Sequence, residues 1–74
     1  MLIMLIASSE LFASAESDYQ SGVEAYKSGD NASAITLFES AQAQGMDSVA
    51  LKYNLASSYY RAGQLTDAKV LFEQ

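Results

Sequence analysis

Tyr53-Asn54-Leu55-Ala56-Ser57-Ser58-Tyr59-Tyr60-Arg61-Ala62-Gly63-Gln64-Leu65-Thr66-Asp67-Ala68-Lys69-Val70-Leu71-Phe72 decides the fold, because an earlier part of the chain carries its landmarks in the same register. Tyr19, Tyr26, Gly29, Ala34, Leu37 and Phe38 return as Tyr53, Tyr60, Gly63, Ala68, Leu71 and Phe72, each pair 34 residues apart. A register that survives two helices and two turns is an internal repeat, and a repeat of this length is a unit that buries its apolar face against a neighbour. Ala34 and Phe38 stand four apart, so they stack on one side of a helix. Two helices approach closely only where one of them is small, and Gly22 and Ala56 occupy that place on the preceding helices. Short loops keep the paired helices adjacent.

Working outward, the first repeat opens with Ser17 and, three residues later, Gln20, a capping-box pattern that predicts a helix over residues 16–28. Tyr19, Val23 and Tyr26 form its stripe, and Gly29 stops it by taking the left-handed conformation. Asp30 or Asn31 caps the next helix, whose inner face is Ala34, Ile35, Leu37, Phe38 and Ala41 and which ends before Gly45. Asp47 or Ser48 opens the third helix, with Leu51, Leu55 and Tyr59 inward and Ala56 and Ala62 beside them. Gly63 ends that helix, and Gln64 or Thr66 begins the fourth, with Ala68, Leu71 and Phe72 facing inward. The fold class is all-α, an antiparallel helical-hairpin solenoid of one full and one partial repeat: residues 16–47, then 48–74. About three such repeats usually make a stable stack. The expectation is therefore a fragment of a longer array or a chain that associates with itself.

Half of the 74 residues are apolar, enough for a helical core, and the absence of Pro suits long helices. Four basic against nine acidic side chains give a net charge of −5, which disfavours nucleic acid or anionic lipid as the partner and suits a protein or a basic peptide. With no Cys and no His, disulfides, thiol chemistry, the commonest zinc ligands and any Ser-His pair are absent together. No catalytic residue, cofactor or metal is expected. Ser8, Ser9, Ser57 and Ser58 read as leader or solvent-face residues, and Glu24, Asp30, Glu39 and Asp67 as caps or separated polar faces. Asn31-Ala32-Ser33 matches a glycosylation sequon, but its place at a helix start favours a capping role.

The run Met1-Leu2-Ile3-Met4-Leu5-Ile6-Ala7, followed by Ala13-Ser14-Ala15, has the apolar stretch and the A-x-A junction of an export leader. No Lys or Arg precedes the run, and Glu10 interrupts it. The alternative is an amphipathic helix over residues 1–15 that packs on the first repeat. The run is too short to anchor a mature chain across a bilayer, so no stable membrane span remains once the leader is removed. The expected location is the bacterial periplasm if the leader is genuine and the cytoplasm otherwise. No lipid-anchoring cysteine is present.

The tyrosines, small residues and phenylalanines at this period resemble the tetratricopeptide repeat. The later copy supplies Leu55, Tyr59, Ala68 and Phe72, with Ala56 where that family commonly has glycine and Lys52 where it has Trp. The earlier copy supplies Gly22, Ala34, Phe38 and Ala41, with Asp18, Ser21 and Ala25 where Trp, Leu and Tyr are usual, and Met46 in place of a closing Pro. The string Gly45-Met46-Asp47-Ser48-Val49-Ala50-Leu51-Lys52-Tyr53-Asn54-Leu55 is similar to that of exported bacterial members, including those of aerotolerance operons.

The resemblance implies a non-enzymatic protein-interaction module, a scaffold whose first helices line a groove for a peptide or protein. It assigns to that groove Tyr19, Val23, Tyr26, Lys27, Tyr53, Asn54, Ser57, Tyr60 and Arg61. The lysine and asparagine pair of chaperone-docking members is missing, which disfavours a C-terminal carboxylate as ligand. Against groove contact stands a plain packing role for the four tyrosines. The rival readings are a self-associating structural element and an accessory repeat segment of a larger envelope protein.

Overall fold

The structure, a computed structural model, describes the backbone of residues 2–74 and the side chains from Ser14 onward. Four helices follow one another: α1 (Leu2–Lys27), α2 (Asn31–Ala43), α3 (Val49–Arg61) and α4 (Leu65–Phe72). Among the described residues there is no strand. α1 packs on α2, α2 on α3 and α3 on α4, and α3 also reaches back to α1. Two helical hairpins thus stack in chain order, as the 34-residue register requires.

Each hairpin turn is built from local chemistry. At the end of α1 the Asp30 amide donates to the Ala25 carbonyl and the Gly29 amide to that of Tyr26; at the end of α3 Gln64 and Gly63 do the same to Tyr59 and Tyr60. This reciprocal pair of bonds needs a left-handed residue, and Gly29 and Gly63 supply it at φ 85° and 82°. The Asp30 carboxylate then caps α2 by accepting from the Ser33 amide, and hydrogen bonding from Ser33 holds its carboxyl below the usual range. Ser48 caps α3 through the Leu51 amide. α4 starts at Gln64 with no side-chain cap.

The core is Ala34, Ile35, Phe38 and Ala41 of α2 against Leu51 and Leu55 of α3, with Tyr19, Val23 and Tyr26 of α1 closing one side. Its tightest contact lies between α1 and α2. A β-carbon added at Gly22 would fall 2.7 and 2.8 Å from two atoms of the Phe38 ring, and that ring is fully buried. Gly22 is thus the seat of Phe38.

The structure departs from the sequence reading at four places. Ser17 is not an N-cap, because α1 passes through residues 14–17 without a break; Ala13-Ser14-Ala15-Glu16 holds no Gly or Pro, and an established helix propagates through such residues. Gln20 bonds the Glu16 carboxylate within the helix instead. The leader reading of residues 1–15 falls, apart from Ser14 and Ala15, on side chains outside the described residues, while α1 itself spans the 15/16 boundary. Ser58 is not on a solvent face. It is fully buried, and its hydroxyl bonds the Asn54 carbonyl one turn back, so a small residue meets the neighbouring helix without an orphaned polar group. Ala62, expected beside the inner stripe of α3, is exposed.

The fourth departure concerns Phe72. Its repeat counterpart Phe38 is fully buried, whereas Phe72 is 52% exposed. Both rings meet the tyrosine of the preceding helix, Phe38 against Tyr19 at 5.7 Å between centroids and Phe72 against Tyr53 at 6.0 Å. The pairing therefore repeats while the burial does not. Two differences accompany this: Ala56 has a β-carbon where Gly22 has none, and among the described residues no helix other than α3 packs on α4.

Gly22→Ala separates the seating of Phe38 from helix propensity, because the propensity change alone would stabilise α1 by about 1 kcal/mol. The expected outcome is a net loss of about 1–2 kcal/mol in urea unfolding, since overpacking a closed core costs more than that gain.

Candidate interaction face

The nine residues that the sequence assigns to one groove separate into two sets. The first set closes the seam between the hairpins. Tyr19 lies on Phe38, and its hydroxyl accepts a 2.9 Å hydrogen bond from the Asn54 side-chain amide. Arg61 covers Tyr26, its guanidinium carbon 4.2 Å from the ring centroid, and donates to the Tyr26 backbone carbonyl at 3.2 Å. Those four side chains hold α1 and α3 together. Val23 is half-buried in the same core, and Ser57 is half-buried on α3.

The second set is open. Tyr53 and Tyr60 are 63% and 65% exposed, although the repeat counterpart of each is half-buried. With them stand Phe72 and Leu65, also more than half exposed, which the groove assignment did not include. One concavity is lined by Tyr60, Leu65, Ala68, Lys69, Phe72 and Glu73. A second, on the other side of Phe72, includes Val49, Tyr53 and Leu71. These side chains form an exposed aromatic and aliphatic surface on the second hairpin, with Lys69 and Glu73 at its edge. Lys27 is exposed near the end of α1 and belongs to neither concavity.

Comparison with family models matches residues 25–74 to the tetratricopeptide repeat. The chain belongs to the tetratricopeptide repeat family. Comparison with curated proteins and with solved structures returns no match. Tetratricopeptide repeats generally mediate protein–protein interaction and are typically non-catalytic, so a protein partner is the class of ligand to consider. Among the described residues no group of three or more His, Cys, Asp or Glu could hold a metal ion, and no helix is long and apolar enough to cross a membrane.

Two polar contacts between helices escaped the sequence reading. Asp18, where many tetratricopeptide repeats have Trp, accepts hydrogen bonds from Ser40 at 2.6 Å and Gln44 at 2.8 Å, tying α1 to the end of α2. Nothing in its spacing points to either partner. The Tyr59 hydroxyl donates to the Glu39 carboxylate across α2 and α3. Burial, then that hydrogen bond, then the charges of Glu39 and Asp67 push the Tyr59 phenol well above the usual tyrosine range. Glu39 and Asp67, which looked separated in sequence, both act on one phenol.

Because the folded value is raised, the neutral Tyr59 phenol contributes its full share below about pH 10, where unfolded tyrosine begins to ionise. That share is lost as pH rises toward the folded value. Tyr59→Phe should lower stability by about 0.5–1 kcal/mol at neutral pH and flatten the decline above about pH 10, read from urea midpoints across the alkaline range. At the seam, a double-mutant cycle of Tyr19→Phe with Asn54→Ala should return a coupling of about 0.5–1.5 kcal/mol. Additive losses in the same denaturation assay would refute the bond.

Proposed function

We propose that this chain is a protein-interaction scaffold of the cell envelope, exported by a leader at residues 1–15, that engages a protein or peptide through the open aromatic surface of its second hairpin. One observation carries the binding part: Tyr53, Tyr60 and Phe72 are all more than half exposed while Tyr19, Tyr26 and Phe38, one period earlier, are packed away. Aromatic side chains of this kind supply large contact areas with few rotors to immobilise, and tyrosine adds a hydroxyl that can bond a partner. Of the other residues first assigned to the groove, Val23 packs against the core, and Lys27 and Ser57 line neither concavity. The seam residues Tyr19, Tyr26, Asn54 and Arg61 contribute by fixing the angle between hairpins.

The envelope setting is supported by the apolar run Met1–Ala7, the Ala13-Ser14-Ala15 junction and the likeness of residues 45–55 to exported bacterial members of the family. Cleavage after Ala15 would leave the Ala34, Phe38, Leu51 and Leu55 core complete.

Two measurements test this function. A photo-crosslinking phenylalanine analogue placed at Tyr53 or Tyr60 in the native host should give a discrete protein adduct, and the same group at Ser21 should give none. Equal adducts from all three positions, or none from the tyrosine positions, would overturn the assigned surface. Intact mass of the chain recovered from the envelope fraction should begin at Glu16; recovery with Met1 still attached from the cytoplasm would remove the export reading.

A further inference from the structure

Three turns of the chain close on glycine in the same way. In each the glycine takes a left-handed φ, and the amide of the residue after it donates to a carbonyl of the helix just ended: Asp30 to Ala25, Met46 to Ala41 and Gln64 to Tyr59. Asp30 and Gln64 are polar and exposed, and the next helix starts directly after each. Met46 differs on every count. It is apolar and half-buried, it packs against the cluster of Ala34, Ile35, Phe38, Ala41, Leu51 and Leu55, and Asp47 and Ser48 separate it from α3.

This turn is the one that joins the first hairpin to the second. An apolar side chain after the glycine folds back over the end of the helix it closes, and Ala41, whose carbonyl accepts from the Met46 amide, is fully buried. Leu51, the first inward residue of α3, belongs to the same cluster. Met46 therefore fills the joint between α2 and α3 with an unbranched, adaptable thioether.

The chain has no cysteine, so thioethers are the only sulfur it offers to an oxidant. Met46 is half-buried rather than sealed, which leaves a peroxide a way in, while its packing makes the product costly. We propose that Met46 is a site of reversible oxidation that governs the joint between the two hairpins. The reagent class is a peroxide. A lone pair of the Met46 Sδ attacks one oxygen of hydrogen peroxide; the O–O bond breaks as the S–O bond forms, the sulfur gives up two electrons, and the departing oxygen takes the proton of the transferred hydroxyl and leaves as water. The sulfoxide is polar where an apolar chain stood. Its oxygen faces aliphatic and aromatic side chains, and a polar group held there without a hydrogen bond is unfavourable.

The oxidised side chain leaves the joint, and α3 loses part of its seat on α2. Three bonds depend on that seat, since each crosses from α3 to the first hairpin: Asn54 to Tyr19, Tyr59 to Glu39 and Arg61 to Tyr26. The turn at Gly29 lies within the first hairpin and keeps its own bonds.

The test treats the full chain with hydrogen peroxide and follows the tryptic peptide Ser28–Lys52, which contains Met46 and neither Met1 nor Met4. In the folded chain this peptide should gain one oxygen at a rate within about tenfold of free methionine. The urea midpoint of the oxidised chain should fall by about 1 M, the shift expected when a polar group is forced onto the core of a small domain. Tyr59→Phe should then move the oxidised midpoint by about half as much as it moves the reduced one, or less, because its bond across the joint has parted. Methionine sulfoxide reductases A and B together, one for each epimer, should restore both mass and midpoint. Met46→Leu keeps the volume of the side chain and should hold a midpoint near the parent's that peroxide leaves unmoved. If that variant fails to fold, rescue of the parent by the reductases decides.

Oxidation of the peptide only after urea has unfolded the chain would overturn the site. Oxidation that leaves the midpoint in place, or that leaves the full effect of Tyr59→Phe, would overturn the control of the joint. An equal fall in the Met46→Leu variant would do the same and would trace the effect to Met1 or Met4. Neither result depends on what the surface at Tyr53 and Tyr60 binds.

Discussion

The contact between Phe38 and the bare backbone of Gly22 sets the distance between α1 and α2, and the rest of the described structure follows from that distance. A buried aromatic ring lying directly on a helix backbone permits an approach that any side chain at position 22 would prevent. The approach brings Tyr19 onto the ring, Asp18 within reach of Ser40 and Gln44, and the Ala34–Phe38 side of α2 into one apolar surface. α3 docks on that surface with Leu51 and Leu55. Its polar side chains then find partners that exist only because the two hairpins meet at this angle.

The second hairpin runs the same plan with one small change and reaches a different end. Ala56 replaces Gly22, and the Phe72 and Tyr53 rings meet nearly at right angles, where Phe38 and Tyr19 are tilted by 48°. Among the described residues, only α3 packs on α4, and the ring is half exposed. A repeat buries its face on the next unit, so identical residues in successive repeats have different exposure according to what lies beside them. The same logic explains why the two sides of the molecule differ: the outer residues of α1 are serines, a glutamine and a glutamate, while those of the second hairpin are aromatic and aliphatic.

Apart from the Asn31 side-chain oxygen, which is buried without a partner, the inward polar side chains are satisfied locally or across a seam. Ser58 turns its hydroxyl to its own helix, Asp18 gathers two donors, and Tyr59 donates to Glu39. Such bonds contribute modestly to net stability, but the Tyr59–Glu39 bond crosses between the hairpins and is lost if they slip, which makes the register costly to change.

The sequence by itself determined the helix pairs, their turns and most of their inner faces, Ser58, Ala62 and Phe72 excepted. Those features rest on local rules: glycine for the left-handed turn, a cap at Asp30 or Asn31 and at Asp47 or Ser48, between which the structure chose Asp30 and Ser48, and apolar residues at helical spacing. The 34-residue period also announced that Tyr53, Tyr60 and Phe72 share the sides of Tyr19, Tyr26 and Phe38. It could not divide the nine groove candidates into a seam and an open face, find the partners of Asp18 and Tyr59, or see that α1 runs unbroken past Ser17. Those outcomes were decided by the tertiary structure, because burial and hydrogen-bond partnership depend on which element lies across the gap. Spacing along one helix carries no record of its neighbour.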